Sequence, residues 1–307
     1  MEKLWSARAG AYVGAYFGLW SGVFLLLRRR EGFDAGEALA ALVVLGLIFP
    51  ALSLLTTRGV EPLPNRVLRP GREAAILLGY LAVFAVVLVK GFPGVARITS
   101  EPLHSMALLG VKLALVAIPG ALVWASGRYR IGELAPTSVS VAKLWPALWM
   151  SLAVLVMQAV LGRGLRDIRA AHLSGWLVAV AVPLSFAWLL VEVGIVEEFF
   201  FRALLQERLA AALRSDWGGL VTAALLFGLV HAPGLYLRTA ATQEAIGAHP
   251  TLLMAVGYSI VMTSLAGLFI GVLWMRTKNF AVVVIVHAAG DLLPNLVPWM
   301  KAFQMTQ

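Results

Sequence analysis

Residues 174–202 read SGWLVAVAVPLSFAWLLVEVGIVEEFFFR, an apolar run that ends in two glutamates and an arginine. Apolar runs of about 17–25 residues are long enough to cross a bilayer as a helix. The part up to residue 196 therefore predicts a membrane span with Glu197, Glu198 and Arg202 at its end. An ionisable group within a membrane costs roughly 2.5–3.5 kcal/mol on insertion scales, so groups retained there usually have a function.

Similar apolar runs recur along the whole chain. The remaining runs lie near 10–27, 37–55, 73–90, 104–125, 145–162, 219–236, 251–275 and 280–299. Pro294 and Pro298 fall in the last run, which predicts a short or broken final helix. The expected fold is an all-α, polytopic transmembrane helical bundle with eight or nine spans. Lys and Arg in alternate loops favour a cytoplasmic N-terminus, and place the residues from Arg202 to Asp216 in a cytoplasmic loop.

The composition supports a membrane protein and excludes several other classes. Of the 307 residues, 60% are hydrophobic and 13% charged, whereas soluble domains contain about 25% charged residues. The net charge of +9 does not indicate nucleic-acid binding, because the basic residues punctuate apolar runs and would meet lipid headgroups. The absence of cysteine excludes disulfides, thiolate catalysis and cysteine-type zinc sites. An Arg-, Ala-, Leu- and Gly-rich composition favours a multi-pass protein of a prokaryotic inner (plasma) membrane.

The polar segment from Gly127 to Trp145 predicts an interfacial boundary between two parts of the chain. Residues 1–127 would form N-terminal transmembrane helices without catalytic motifs, and residues 128–307 a C-terminal core. Lys112 interrupts the fourth run. Its side chain is expected to extend to the membrane surface or to contact a neighbouring helix.

The two glutamates after the apolar run are predicted to have different tasks. On a helix, Glu198 and Arg202 are four residues apart and share a face, so Arg202 can keep Glu198 ionised. Glu197 points about 100° away and can face a cavity as a general base. The alternative interpretation is an ion pair at the membrane boundary, at the start of an amphipathic tail over residues 206–208.

Two further polar sets also use a four-residue step inside apolar sequence. Phe227 and His231 form one set, and Phe227 is expected to pack over the imidazole, with Gly228 allowing close helix approach. His287 and Asp291 form the other set, in which the carboxylate can orient the histidine or join it as a metal ligand. Each set alone is compatible with a structural hydrogen bond between helices. Three sets on three spans predict one shared site.

These residues permit two kinds of water activation. The sequence contains neither Gly-x-Ser-x-Gly nor His-Glu-x-x-His, which excludes the usual serine and zincin motifs. Glu197, His231 and His287 could bind zinc with an open position for water. Alternatively, Glu197 and His231 could activate water without a metal, with His287 donating to the oxyanion. Both routes lead to amide hydrolysis in the membrane.

Two functions without hydrolysis are also compatible with buried Glu, His and Asp residues. Such groups form proton relays in proton- or ion-coupled transporters, although here the motifs are confined to the second half of the chain. A non-catalytic membrane scaffold that has kept the fold is the third alternative.

The three motifs, in this order on successive spans, resemble those of the CPBP family. That family comprises the type II CAAX prenyl endopeptidases and the bacteriocin-processing or abortive-infection intramembrane proteases. The resemblance covers roughly residues 145–300 and implies a helical core with a cavity open to the cytosol. It also implies that Glu197 and His231 activate water and that Glu198 and Arg202 support the site. His287 would contribute to an oxyanion hole or, in the alternative, to a metal site.

Asp291 departs from the prenyl-protease branch of this family, which carries Asn at the corresponding position. An ionised Asp cannot donate a hydrogen bond to an oxyanion, so Asp291 would be protonated, orient His287 or bind a cation. The resemblance implies no cofactor in the glutamate-type mechanism and zinc in the alternative one. The implied partners are membrane lipid and a membrane-anchored protein or peptide substrate, of which the prenylated CAAX type is one.

Overall fold

Nine helices in the described part of the chain are long and apolar enough to cross a membrane. The computed structural model describes residues 7–95, 98, 100–127, 129–237 and 250–305, and these contain no strand. The nine helices, α1 to α9, are Ala7–Leu27, Ala35–Thr56, Pro70–Val95, Leu103–Gly127, Val141–Leu161, Gly175–Leu213, Asp216–Leu237, Leu252–Thr277 and Phe280–Ala302. Short helices lie at Ile131–Leu134 and Gly164–Ala170. The predicted all-α, multi-pass membrane fold is confirmed.

The helices α8 and α9 lie at the centre of the bundle, since more than half of each span is enclosed by protein. By contrast, α1, α3 and α4 leave most of their apolar surface uncovered. Val83 and Val86 on α3, with Trp124 on α4, are examples of exposed apolar side chains. Such surface is expected on the lipid-facing side of a membrane bundle.

Helix α6 is longer than the sequence predicted. The expected span ended at residue 196, followed by a cytoplasmic loop from Arg202 to Asp216, but the helix continues to Leu213. The prediction was wrong because its charged residues suggested a membrane surface, whereas Arg202, Glu207 and Arg208 are buried between helices. The same burial contradicts the alternative of an amphipathic tail over residues 206–208.

The backbone of α6 changes its winding around the two glutamates. The segments Leu190–Ile195 and Phe199–Gln206 are π-helical, and a short α-helical turn, Val196–Glu198, lies between them. A π-helical segment has i→i+5 hydrogen bonds and occurs frequently at functional sites. The widened turns therefore mark the part of α6 that carries Glu197.

Helix α9 runs through both of its prolines to Ala302, so the predicted break is wrong. Pro294 cannot donate a backbone hydrogen bond to the carbonyl of Gly290 four residues earlier. The side chain of Gln158 on α5 supplies that bond instead, with its Nε2 3.0 Å from the Gly290 oxygen. A neighbouring helix thus satisfies the carbonyl that the proline leaves free, and the helix continues.

Two glycines allow the helices that carry the polar motifs to approach closely. A Cβ at Gly228 of α7 would lie 2.5 Å from the Ser259 carbonyl oxygen of α8. A Cβ at Gly194 of α6 would lie 2.9 Å from the Val284 carbonyl oxygen of α9. A side chain at either position would push the helices apart, because such contacts are too short for carbon. The expected role of Gly228 is confirmed.

The N-terminal helices are joined to the core by buried charge. Glu73 on α3 accepts a hydrogen bond from Arg208 Nε on α6 at 3.1 Å, and both side chains are fully buried. Tyr129, between α4 and α5, donates to the same carboxylate at 2.8 Å. The division of the chain into residues 1–127 and 128–307 stays a prediction.

Candidate active site

Four of the predicted side chains converge from three helices. Glu197 on α6 lies with its Oε2 3.9 Å from His231 Nε2 on α7, and 3.9 Å from His287 Nε2 on α9. Asp291 Oδ2 is 3.9 Å from the same His287 nitrogen. These separations are longer than a direct hydrogen bond, but one water molecule can bridge each of them. The juxtaposition is what the sequence predicted, whereas the chemical role of each residue stays a prediction.

A backbone carbonyl determines which nitrogen of His231 faces the site. Its Nδ1 is 2.7 Å from the carbonyl oxygen of Phe227, one turn earlier on α7. Since a carbonyl oxygen only accepts, Nδ1 carries the proton. When the ring is neutral, Nε2 therefore presents its lone pair towards Glu197 and can accept a hydrogen bond from water or take up a proton.

His287 is oriented by Glu198 and not by Asp291. Its Nδ1 is 2.6 Å from Glu198 Oε1, whereas the Asp291 carboxylate is beyond hydrogen-bond distance of the ring. The one-turn spacing of His287 and Asp291 suggested such an orienting role for Asp291 as one of several alternatives. The role of Glu198 was not predicted, since a contact between α6 and α9 leaves no signal in the spacing of either motif.

Glu198 is held in turn by Arg202, as the four-residue spacing predicted. Arg202 Nε lies 2.9 Å from Glu198 Oε2, and both side chains are fully buried. The contact is an ion pair with poor hydrogen-bond geometry, since neither atom has a hydrogen-bond partner within the described residues. The guanidinium carbon lies 5.0 Å from the centre of the Phe227 ring, a distance typical of a cation–π contact.

Phe227 is the apolar centre of the site. Its ring centroid is 4.9 Å from that of His231 and 6.1 Å from that of His287. The predicted packing of Phe227 over the imidazole of His231 is confirmed. By contacting Arg202 and both histidines, one aromatic ring restricts the orientation of three polar side chains.

The site has a closed layer and an open layer. Glu198 and Arg202 have no exposed side-chain surface, whereas 21% of Glu197, 34% of His231 and 37% of Asp291 is uncovered. Buried residues therefore fix the positions of residues that a ligand can reach. This arrangement is suited to a reaction in which only the open layer touches the substrate.

The candidate zinc ligands Glu197, His231 and His287 lie slightly farther apart than ligands of a zinc ion do. The Nδ1 contacts of the two histidines resemble the outer contacts that orient metal-binding imidazoles. However, bonds of roughly 2.0–2.2 Å in a tetrahedral site place ligand atoms about 3.3–3.6 Å apart, and here the separations from Glu197 are 3.9 Å. Within the described ranges, no group of three or more His, Asp or Glu residues has the arrangement of a metal site.

The segment that contains the candidate site matches a known family model. Residues 145–293 match the model described as type II CAAX prenyl endopeptidase Rce1-like. Neither the curated proteins nor the solved structures gave a match. The matched segment begins in α5 and includes all seven candidate residues of α6, α7 and α9. The resemblance inferred from the motifs is confirmed over residues 145–293, a segment that is similar to the Rce1-like type II CAAX prenyl endopeptidases.

Proposed function

We propose that this protein is an intramembrane endopeptidase that hydrolyses a peptide bond of a membrane-associated protein, with a water molecule activated by Glu197 and His231. The observation that carries this proposal is the position of the Glu197 carboxylate, 3.9 Å from each histidine Nε2. A general base must lie within reach of the proton that it removes, directly or through one water. A CAAX-type prenylated substrate is the first candidate, because of the family match.

The reaction begins with water bound between Glu197 and His231. One water proton moves to the Glu197 carboxylate while the oxygen forms a bond to the peptide carbonyl carbon. The carbonyl oxygen becomes negatively charged and is stabilised by an Nε2–H of His287 in its protonated form. When the carbon–nitrogen bond breaks, the proton passes from Glu197 to the leaving amine. The products are a new carboxyl terminus and a new amino terminus.

The remaining residues act by holding these groups in place. Glu198 fixes the His287 ring through Nδ1, and Arg202 balances the charge of Glu198. Asp291 Oδ2 is 3.9 Å from His287 Nε2, and as a carboxylate Asp291 accepts hydrogen bonds from the substrate or its leaving amine. Phe227 keeps the rings apart and excludes water from the closed layer.

The proposal is tested with purified protein reconstituted in liposomes and a peptide whose cysteine near the C-terminus is farnesylated. Mass spectrometry should detect both fragments of a single internal cut, and His231→Ala should yield neither. His172→Asn is the matched control, since His172 is exposed, lies outside the site and has a φ of 49° that Asn tolerates. Equal cleavage by wild type and His231→Ala would refute the assignment.

A separate measurement tests the absence of a metal from this mechanism. Because Glu197 and His231 activate the water without a metal in the proposed mechanism, a chelator such as 1,10-phenanthroline should leave the cleavage rate unchanged. Metal analysis of the active protein should give much less than one zinc per chain. Loss of cleavage with the chelator and its return on addition of zinc would instead establish the zinc-dependent mechanism.

A further inference from the structure

Lys112 lies inside α4 and forms an ion pair with the helix that carries the site. Its Nζ is 2.7 Å from Glu192 Oε1 on α6, so the expected contact with a neighbouring helix is confirmed. The other oxygen of Glu192 accepts a hydrogen bond from Trp188 Nε1 at 2.8 Å. Both carboxylate oxygens are therefore fixed. Lys112 belongs to a helix outside the segment 145–293 that matches the family.

Glu192 occupies a part of α6 whose geometry affects Glu197 directly. It lies in the π-helical segment Leu190–Ile195, immediately before the turn Val196–Glu198. Glu192 and Glu197 belong to one continuous helix, and the turn that carries Glu197 begins directly after the π-helical segment. A shift or rotation of that segment at Glu192 would therefore change the direction of the Glu197 side chain.

A second contact places α4 against α6 on the other side of Glu197. A Cβ at Gly120 would lie 2.9 Å from a ring carbon of Phe199, so the aromatic ring packs directly on the α4 backbone. The two contacts, Lys112 with Glu192 and Gly120 with Phe199, bracket the turn that carries Glu197. Helix α4 thus packs against the part of α6 that carries Glu197, although the family match does not include α4.

The ion pair of Lys112 and Glu192 is only partly buried, although both residues lie within spans. The side chains of Lys112 and Glu192 are 35% and 23% uncovered, which leaves the pair at the edge of the open layer. A cation retained well inside a span usually has a function, and here it is paired with the helix that carries Glu197.

We propose that Lys112 is a positioning residue: through Glu192, it fixes the π-helical turn that directs Glu197 towards His231 and His287. The proposal rests on the proposed endopeptidase function and adds a contribution from the N-terminal helices. Lys112 makes no contact with the reacting atoms in this assignment. Its loss should affect the geometry of catalysis more than substrate binding.

The test measures kcat, KM and thermal unfolding of reconstituted variants with the farnesylated peptide. Lys112→Met should lower kcat on the order of tenfold to a hundredfold, the effect of a displacement of about 1 Å in catalytic geometry. KM should change less than about twofold, because uniform substrate binding is not altered. Lys112→Arg should recover most of the wild-type kcat, since it keeps the charge. Leu113→Ala, at an exposed neighbouring position of α4, should leave kcat unchanged.

A charge exchange adds a readout that a purely structural role would not change. Lys112→Glu should be inactive beside Glu192, and the double variant Lys112→Glu, Glu192→Lys should regain part of the kcat at a similar unfolding temperature. The inference is overturned if Lys112→Met keeps the wild-type kcat, if Lys112→Arg is as slow as Lys112→Met, or if KM alone changes. If Glu197→Gln cleaves normally, the endopeptidase proposal itself fails; if only Lys112 proves neutral, the endopeptidase proposal stands.

Discussion

Two adjacent glutamates have different environments because a helix directs neighbouring side chains about 100° apart. Glu198 is fully buried between Arg202 and His287, whereas Glu197 is partly open and faces two imidazoles. The sequence predicted this division, since the Glu198–Arg202 pair is a local contact on one helix. It did not predict that Glu198 orients His287, because that bond depends on how α6 packs against α9.

The different environments predict different effects on stability. Glu198→Gln leaves the Arg202 charge buried without a counter-charge, so the free energy of unfolding should fall by about 3–5 kcal/mol. Glu197→Gln keeps the shape of a partly exposed side chain and should change it by less than about 1 kcal/mol. Thermal unfolding in detergent, followed by circular dichroism, measures both variants. Equal destabilisation by the two substitutions would contradict the assignment of a closed and an open layer.

At the scale of the helices, hydropathy predicted the positions of the spans more accurately than the residues at which they end. Charges ended the predicted sixth span at residue 196, but α6 continues because those charges are paired with other helices. The prolines of α9 predicted a break that Gln158 prevents by donating to the Gly290 carbonyl. In both cases a partner on another helix satisfies a polar group that the local sequence leaves unsatisfied.

The role of Gln158 can be tested by a double-mutant cycle with Pro294. Gln158→Leu should lower the free energy of unfolding by about 1–3 kcal/mol, because the Gly290 carbonyl loses its donor. In a Pro294→Ala background, Gln158→Leu should lower the free energy of unfolding by less, since the backbone N–H of Ala can bond to the Gly290 carbonyl. Thermal unfolding of the four proteins gives the coupling free energy between positions 158 and 294. Equal costs in both backgrounds would show that the side chain does not replace the missing bond.

For the whole molecule, the sequence suggested a catalytic half preceded by helices without catalytic motifs. Glu73 and Lys112 show contacts that such a division does not predict, since each pairs with a residue of α6. Neither residue belongs to a recognisable motif, and their partners are more than 70 positions away. A single sequence therefore predicted a set of residues that the fold brings together, but not the helices that support them.

A fragment consisting of residues 128–307 should not fold stably on its own. Removal of α3 leaves Arg208 without its carboxylate partner in a position that is fully buried in the complete protein, and removal of one member of a buried pair costs about 3–5 kcal/mol. Size-exclusion chromatography and thermal unfolding in detergent compare the fragment with the full chain. Adding Arg208→Leu to the fragment should make it more monodisperse in size-exclusion chromatography and raise its unfolding temperature. A monodisperse fragment with the wild-type unfolding temperature would contradict this prediction.

The most direct test of the central claim is the cleavage rate of Glu197→Gln. This substitution removes the proposed base and keeps its shape and surroundings. In liposomes with the farnesylated peptide, the account predicts a loss of cleavage of at least about a hundredfold, the usual contribution of a general base, at an unchanged unfolding temperature. Cleavage at the wild-type rate by a folded Glu197→Gln protein would contradict the account.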